Sequence, residues 1–310
     1  MIEERITLGQ NTAYALDGLL TLPDQQKPPF TALVLVHGSG PNDMDEHIGN
    51  TYFFKDLAHG LAERGIATIR YNKRTFTYGK EMLQTLKGGL TVKEETIDDA
   101  ILAADFLRAD ERINSRKIFI AGHSIGAMLA PRIDAEGGNF AGLILLAGTA
   151  RKLEQVMIDQ SNEQLSQLKG VLKWIATKQV KKIHDKLDKI YTMSDEDAKA
   201  TKIFGNTYYY YLKEWGSNPV EHYLPKTDKP VLITQGDKDF HVSVEKDFNA
   251  YQNILAGREN VTFKLYPNLN HLFMLSVYGK VGKAKQEYEV EQQVPAYVLD
   301  DLAKWVLAHE

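Results

Sequence analysis

Ser124 lies between two glycines in the stretch Ala121–Ala127, which contains a G-x-S-x-G pattern. The apolar run Lys117–Ile120 precedes it and the helix-like run Met128–Ile133 follows, so the pattern predicts a strand, a tight turn and a helix. In serine hydrolases such a turn raises one hydroxyl group above a sheet. It also places the serine at a helix N-terminus, where negative charge is favoured. The competing interpretation is an ordinary turn serine, and other motifs must decide between the two.

Two further residues could activate this hydroxyl group. A serine needs a base to accept its proton, and His271 lies in a loop just after the last predicted strand. The base needs a carboxylate to orient it, and the loop after the apolar run Val231–Thr234 offers Asp237 and Asp239. We favour Asp239, because Asp237 lies almost on the turn itself. The order along the chain is then serine, aspartate, histidine.

A glycine-rich loop could supply the donors that such chemistry requires. Acyl transfer builds negative charge on an oxygen, which two N–H groups can stabilise. One should belong to Ile125, directly after the serine. The other should come from His37–Pro41, which follows the apolar run Ala32–Val36, and we favour the N–H of Ser39 over that of Gly40. Phosphate binding by this loop is a weaker interpretation, because the P-loop pattern is absent.

The elements that carry these residues alternate between strands and helices. Continuous apolar runs are typical of parallel strands buried on both faces, whereas a helix shows its apolar residues on one side. The alternation predicts a mainly parallel, doubly wound sheet, with the site beyond the carboxyl ends of its strands. The predicted strands are 5–8, 14–22, 32–36, 67–71, 117–120, 142–146, 231–234 and 261–266, and the main helices are 53–64, 92–108 and 294–308.

The segment 151–225 interrupts this alternation. It is rich in Gln, Lys, Asp and Glu with spaced apolar residues, and it ends in an aromatic cluster, Tyr208–Tyr211 with Trp215. We interpret it as a helical cap inserted into a core formed by 1–150 and 226–310, since lids occupy such positions. The alternative is a set of ordinary packed helices. The residues expected to contact a substrate are Gly38, Gly40, His123, Tyr209 and Trp215.

Composition narrows the function classes. The 310 residues are 43% hydrophobic and 25% charged, with 37 Lys and Arg against 41 Asp and Glu, so the formal net charge is −4. This balance gives no reason to expect nucleic acid or a membrane as a partner. There is no cysteine, which excludes disulfides and a cysteine nucleophile. No secretion signal or membrane span is visible, and we expect a cytoplasmic protein, whose assembly into a homo-oligomer stays open.

An acidic loop, Asp43–His47, could bind a divalent ion. Ion pairing is the favoured alternative, because Arg70, Lys73 and Arg74 follow the next predicted strand and should reach the same end of the sheet. We therefore expect neither a metal nor any other cofactor.

The motifs His37–Pro41, Gly122–Gly126, Gln235–Asp239 and Asn270–His271 together resemble the α/β-hydrolase superfamily. The resemblance covers nearly the whole chain apart from the predicted cap. It implies an α/β-hydrolase fold in which Ser124, Asp239 and His271 form a catalytic triad.

A narrower resemblance rests on His37–Glu46 followed by Arg70–Arg74, which is similar to bacterial carboxylesterases related to the dienelactone-hydrolase and acyl-peptidase branches. It implies hydrolysis of small acyl esters through an acyl-enzyme. True dienelactone hydrolases use a cysteine, which this chain lacks. The alternatives are a serine peptidase or amidase on the same fold, and a non-catalytic binding module.

Overall fold

A computed structural model describes residues 1–310, and its centre is an eight-stranded sheet. The eight strands are β1 (Ile2–Leu8), β2 (Leu16–Leu22), β3 (Phe30–Val36), β6 (Ile66–Tyr71), β7 (Ile113–His123), β8 (Leu143–Leu146), β11 (Val231–Gly236) and β12 (Val261–Tyr266). Their order across the sheet is β1-β2-β6-β3-β7-β8-β11-β12. The six neighbouring strands β6-β3-β7-β8-β11-β12 pair in parallel, whereas β2 pairs antiparallel with both β1 and β6. Two short pairs lie outside this sheet, β4 (His47–Ile48) with β5 (Thr51–Tyr52) and β9 (Lys202–Phe204) with β10 (Thr207–Tyr208).

Eleven α-helices connect and cover the strands. They are α1 (Phe53–Ala62), α2 (Arg74–Thr85), α3 (Asp98–Ala109), α4 (Ile125–Ile133), α5 (Leu153–Ser166), α6 (Gly170–Leu187), α7 (Asp195–Ala200), α8 (Tyr209–Ser217), α9 (Asn249–Ile254), α10 (Ala284–Tyr288) and α11 (Ala296–Ala308). Single turns of 3-10 or π helix occur at Lys87–Gly89, Lys93–Ile97, Asp134–Gly138, Val220–His222, Leu224–Lys226, Val244–Phe248 and Val281–Lys283.

The sheet separates two hydrophobic cores. Along β3, Val34 and Val36 face a core that includes α3 and α4, whereas Leu33 and Leu35 face a core that includes α1 and α11. Every residue of β3 is buried, as its unbroken apolar run predicts for a strand covered on both faces. The prediction of a mainly parallel, doubly wound sheet is confirmed.

Parallel strands in register bring their carboxyl ends to one edge. Val36 at the end of β3 pairs with Gly122 of β7, and His123 of β7 pairs with Leu146 at the end of β8. The loops that follow these strands therefore meet above the same edge of the sheet.

The segment between β8 and β11 contains α5 to α8 and the β9–β10 pair. It has a small core of its own, centred on Leu187, Ile190, Ala198, Ile203, Tyr209 and Leu212. The helical content follows the expectation, whereas the β9–β10 pair has no counterpart in it. The insertion of 151–225 as a separate cap stays a prediction.

The structure also differs from the sequence-based expectation in several helices. The helix expected over 92–108 begins as a π turn at Lys93–Ile97 before α3. Helices α2, α9 and α10 have no predicted counterpart. Only two residues of α2 are buried. Helices α9 and α10 have six and five residues, which is too short for a helical period to be recognised. None of the helices is both long enough and apolar enough to cross a membrane.

Candidate active site

Ser124 occupies a strained turn between β7 and α4. Its backbone has φ 52° and ψ −112°, and non-glycine residues rarely adopt a positive φ. The Ser124 N–H donates a hydrogen bond of 2.8 Å to the carbonyl of Leu146, which ties the turn to the end of β8. The side chain lies beside the N-terminus of α4, as the strand–turn–helix pattern predicts.

The two glycines of the motif are required by close backbone contacts. A Cβ atom on Gly122 would lie 2.2 Å from the carbonyl oxygen of Gly126, and one on Gly126 would lie 2.2 Å from the carbonyl oxygen of Val36. Side-chain atoms cannot approach a backbone oxygen so closely. The pattern therefore brings α4 into direct contact with the end of β3.

His271 is held by Asp239. The Nδ1 atom of His271 lies 2.7 Å from a carboxylate oxygen of Asp239, whose side chain is fully buried. The other oxygen of Asp239 accepts the backbone N–H groups of His241 and Val242, at 2.8 and 3.0 Å. Asp237 instead accepts the N–H of Asn268 in the neighbouring loop. The structure thus pairs His271 with Asp239, the carboxylate that the sequence analysis favours over Asp237.

The loop around His271 is fixed by buried hydrogen bonds. The side-chain oxygen of Asn270 accepts the N–H groups of Leu272 and Met274, and its amide nitrogen donates to Glu287. The His271 carbonyl lies 3.1 Å from Nε2 of His123. The position of His271 is therefore fixed both by the contact of its ring with Asp239 and by the contact of its backbone carbonyl with His123.

Ser124 and His271 line one cavity of about 460 Å³, which we call the serine cavity. No hydrogen bond within the chain engages Nε2 of His271 or the Ser124 hydroxyl group in this structure. Catalytic hydrogen bonds are often long in enzymes without substrate and tighten when substrate binds. Other side chains of the cavity are Glu46, Ile48, His123, Met128, Leu153, Val156, Met157, Gln160, His241, Val242 and Tyr288.

The loop after β3 is clamped at Gly38 by two charged side chains. The Gly38 N–H donates to a carboxylate oxygen of Glu46 at 2.7 Å, and the Gly38 carbonyl accepts from Nζ of Lys73 at 3.0 Å. A trans peptide points its N–H opposite to its carbonyl. The Ser39 N–H therefore points away from Lys73, and it has no hydrogen-bond partner within the chain. The N–H of Ile125 begins α4 and so has no intrahelical partner either.

Both clamping side chains belong to buried ion pairs. Glu46 lies 3.0 Å from Nδ1 of His123, and both residues are almost fully buried. Lys73, also buried, lies 2.7 Å from Glu95, and Glu95 accepts the Tyr211 hydroxyl group at 2.5 Å. A continuous chain of polar contacts therefore runs from helix α8 to the loop at Gly38.

Burial and pairing act in opposite directions on the Glu46–His123 pair. Burial favours the neutral form of each group, but the partner's charge and hydrogen bond outweigh it. The pKa of Glu46 is therefore lowered from its ordinary value, and the pKa of His123 is raised. These directions favour the ionised form of both groups between their ordinary pKa values of 4.5 and 6.5.

Two other histidines near the site stay neutral. Burial lowers the pKa of His37 to about 4, and burial together with the nearby charge of His271 lowers the pKa of His241 to about 4. The rings of His241 and His271 are 4.8 Å apart, so a neutral His241 adds no competing positive charge.

A second cavity of about 1070 Å³ adjoins the first, and we call it the aromatic cavity. Ser39, Ile125, Leu153 and Met157 line both cavities. Its other walls come mainly from α2 and α8 and include Gly40, Phe76, Tyr78, Gly79, Leu83, Leu90, Glu95, Phe204, Tyr208, Tyr211, Leu212 and Trp215.

Four of the five residues expected to contact a substrate line these cavities. Gly38 and His123 line the serine cavity, and Gly40 and Trp215 line the aromatic cavity. Tyr209 lines neither of them. It packs instead in the small core of the inserted segment, because its side of α8 faces α5 to α7 and not the cavity.

The acidic loop Asp43–His47 forms only part of the expected ion pairing. Asp45 pairs with Arg70 at 2.8 Å, whereas Lys73 pairs with Glu95 and Arg74 with Asp99. The structure contains no group of three or more His, Asp or Glu side chains placed to hold a metal ion.

Several residues of the two cavities escaped the sequence analysis. Tyr288 contributes a buried hydroxyl group without a hydrogen-bond partner beside the serine cavity. Leu153 and Met157 of α5 line both cavities. No local motif marks such residues, since their position depends on the tertiary packing of distant segments.

Comparison with known proteins identifies a family and an esterase relative. Residues 27–276 match the profile of a hydrolase family described as serine aminopeptidase, S33. The chain is 37% identical over 296 residues to the esterase EstD of Thermotoga maritima, an alignment that covers 96% of this chain and 66% of that protein. The chain therefore spans about two thirds of the length of this relative.

Solved structures share the fold at low sequence identity. The esterase Est1E from Butyrivibrio proteoclasticus superposes with a TM-score of 0.58 at 16% identity, covering 98% of each chain. The proline iminopeptidase of Mycobacterium smegmatis superposes with a TM-score of 0.57 at 15% identity, covering 99% of this chain and 100% of that one.

A methyl group at Gly126 should destabilise the protein. We expect Gly126→Ala to lower the free energy of unfolding by roughly 1–3 kcal/mol, because the new Cβ atom would collide with the Val36 carbonyl. Urea unfolding measures the loss. Gly79→Ala is the matched control, since a Cβ atom there meets nothing within 4 Å and Gly79 lies in α2. Equal stability of the two variants would contradict the packing argument.

The Glu46–His123 pair should stabilise the fold in a pH-dependent way. Because the pKa of His123 is raised, its stabilisation of the folded state is fully present below pH 6.5, the ordinary pKa of histidine. This stabilisation is lost as the pH rises through the pKa of His123 in the folded state. Because the pKa of Glu46 is lowered, its stabilisation of the folded state is fully present above pH 4.5, the ordinary pKa of glutamate. This stabilisation is lost as the pH falls through the pKa of Glu46 in the folded state.

A double-mutant cycle with Glu46→Gln and His123→Asn, followed by urea unfolding, measures this coupling. We expect a coupling energy of about 0.5–3 kcal/mol near pH 6 that shrinks by pH 9. A coupling energy that grows with pH would contradict the assignment.

Proposed function

The chain belongs to the serine aminopeptidase S33 family of α/β-hydrolases, and from this membership we propose that it is a serine carboxylesterase acting on small-molecule esters. In this proposal Ser124 is the nucleophile, His271 the base and Asp239 its orienting carboxylate. The observation that carries the proposal is the 2.7 Å contact between His271 and Asp239, on the wall of the cavity that contains the strained Ser124. The named esterase relative supports the choice of ester substrates.

The reaction proceeds in two halves. His271 takes the proton from the Ser124 hydroxyl group as the oxygen attacks the ester carbonyl carbon. The bond to the alkoxy oxygen then breaks, and His271 returns the proton to the departing alcohol. Water repeats these steps on the acyl-enzyme, which releases the acid and restores Ser124. Asp239 keeps the proton-bearing Nδ1 of His271 turned toward itself, so that Nε2 faces the reacting atoms.

The N–H groups of Ser39 and Ile125 stabilise the oxyanion in this scheme. Both residues border the serine cavity, and neither N–H has a partner within its own segment. Donors that are fixed before the reaction contribute most, because no reorganisation is needed when charge develops.

Lys73 acts as a positioning residue for this site. Its ammonium group holds the Gly38 carbonyl, which sets the direction of the Ser39 N–H at the other end of the same peptide unit. Glu46 fixes the preceding N–H of Gly38. The loop is therefore held by charge-assisted hydrogen bonds, which are stronger than neutral ones.

The family description also suggests a peptidase, and the charges near Ser124 argue against an aminopeptidase. Such an enzyme needs a carboxylate to receive the protonated α-amine of its substrate. Glu46 and Glu95 line the two cavities, but each is already paired, with His123 and Lys73 respectively. The remaining carboxylate, Glu81, is exposed at the rim of the aromatic cavity.

A non-catalytic binding module is the less favoured alternative. It would not require a strained backbone at Ser124 or a buried carboxylate behind His271, and strain of this kind persists only where the surroundings enforce it.

Removing the Ser124 hydroxyl group should abolish turnover of a short p-nitrophenyl ester, and removing the charge of Asp239, which orients His271, should strongly reduce it. We expect Ser124→Ala to remove activity and Asp239→Asn to lower kcat by roughly 10⁴-fold, because the imidazole then takes the wrong tautomer. Asp237→Asn is the matched control in the same loop and should retain activity, since the Asp237 side chain contacts the Asn268 N–H and Lys238 but not His271. Unchanged turnover by Ser124→Ala would refute the proposal.

Loss of the Lys73 ammonium group should reduce transition-state stabilisation selectively. We expect Lys73→Met to lower kcat by about 10²-fold with little change in KM, and to weaken binding of a trifluoromethyl ketone inhibitor by a similar factor. Lys73→Arg should restore part of the activity, because it keeps a buried cation near the Gly38 carbonyl.

Arg74→Met provides the control for this experiment. It also removes a buried cation, but Arg74 pairs with Asp99 and does not touch the loop at Gly38. Losses of kcat and inhibitor affinity that are equal in Lys73→Met and Arg74→Met would show that Lys73 acts only through general stability.

A further inference from the structure

The two cavities meet at the groups proposed to bind the oxyanion. Ser39 and Ile125 line both cavities, whereas Ser124 and His271 line only the serine cavity. An ester carbonyl bound between the N–H groups of Ser39 and Ile125 therefore has two different spaces for its two substituents. One is about 460 Å³ and the other about 1070 Å³.

The chemistry decides which substituent goes where. The departing alkoxy oxygen must receive its proton from His271, so the alcohol half of the ester has to leave on the side of His271. The acyl half lies on the opposite side of the carbonyl carbon. Water for the second half-reaction must also approach beside His271, in the space that the alcohol has left.

From this asymmetry we propose that the aromatic cavity is the acyl subsite and the serine cavity the alcohol subsite. The preferred substrates are then esters of a bulky, uncharged acid, with an aromatic ring or an alkyl chain of medium length, and a small alcohol. This inference rests on the proposed function, because it uses Ser124 and His271 in their assigned roles.

The walls of the aromatic cavity fit such an acid. The rings of Tyr211 and Trp215 pack edge to face with centroids 6.2 Å apart, and Phe204, Leu212 and Leu90 add further apolar surface. Burial of apolar surface contributes about 0.8 kcal/mol for each methylene group, so a longer chain gains affinity along such walls.

The one charged side chain of this cavity that is not exposed, Glu95, is already paired. The Tyr211 hydroxyl group donates to Glu95, and Glu95 pairs with Lys73. The remaining charged side chains, Lys80, Glu81 and Lys87, are exposed at its rim. An acyl group that carries a charge would therefore meet a free counter-charge only at the exposed rim of the cavity.

Gly79 offers a direct way to fill the aromatic cavity. It lies in α2 and lines the cavity, and a Cβ atom added there meets nothing within 4 Å. Gly79→Phe therefore places a ring in the acyl subsite without a clash at the backbone. Thr85→Phe is the matched control, since it adds the same side chain to an exposed position of the same helix outside both cavities.

Two ester series separate the subsites. The first varies the acyl group from acetyl to octanoyl and benzoyl with ethanol as the fixed alcohol, and the second varies the alcohol with a fixed acetyl group. For the wild-type enzyme we expect kcat/KM to rise at least about tenfold from ethyl acetate to ethyl octanoate. Gly79→Phe should reduce this ratio by about tenfold and leave the alcohol preference unchanged, whereas Thr85→Phe should change neither.

A variant of the serine cavity gives the complementary result. Gln160 lines that cavity and not the aromatic one, so Gln160→Phe should alter the alcohol preference and leave the acyl preference unchanged. If Gly79→Phe shifts the alcohol preference instead, or if ethyl acetate is the best ester of the first series, the subsite assignment is wrong.

The outcome also distinguishes the inference from the proposed function. Hydrolysis that depends on Ser124 but favours short acyl groups overturns only the subsite assignment. Absence of Ser124-dependent hydrolysis in both series overturns the proposed function, and the subsite assignment with it.

Discussion

Close backbone contact between α4 and the end of β3 is the constraint on which the site depends. Gly126 brings the first turn of α4 so near the Val36 carbonyl that no side chain fits between them. This contact places the turn at Ser124 beside the loop that begins at His37. The Ser124 hydroxyl group and the free N–H groups of Ser39 and Ile125 can therefore share one edge of the sheet. The parallel register of β3, β7 and β8 makes the same edge available to the loops that follow each of them.

The strands bring the loops of the site to one edge of the sheet, and buried charged side chains then fix the conformation of these loops. Glu46 accepts the Gly38 N–H and Lys73 donates to the Gly38 carbonyl, while Asp239 orients His271. Removing such charges from water is costly, and it is tolerated only where partners and hydrogen bonds are well placed. Each of these groups has a partner of opposite charge or several donors. These contacts therefore hold the loop at Gly38 and the His271 ring rigid, at the positions where charge would develop during the proposed ester hydrolysis.

The sequence predicts the parts of this arrangement that depend on local patterns. Apolar runs identify the parallel strands, and the glycines around Ser124 identify the turn, because both signals arise from a few adjacent residues. Asp239 could be preferred to Asp237 from its place in the loop. The partners of Lys73 and Glu46 could not be predicted, since Glu95 and His123 lie far away in the chain. Tyr209 shows the same limit, because an aromatic cluster does not indicate which of its rings faces a cavity and which faces a neighbouring helix.

The crystal structure of the protein after reaction with an alkyl fluorophosphonate tests the central claim most directly, since the bound phosphonate mimics the tetrahedral intermediate. The account predicts a single adduct on Oγ of Ser124, with the phosphoryl oxygen within hydrogen-bond distance of the N–H groups of Ser39 and Ile125 and with Nε2 of His271 facing the phosphorus substituents. An adduct on another residue would contradict it. A phosphoryl oxygen that points away from both N–H groups would contradict it equally.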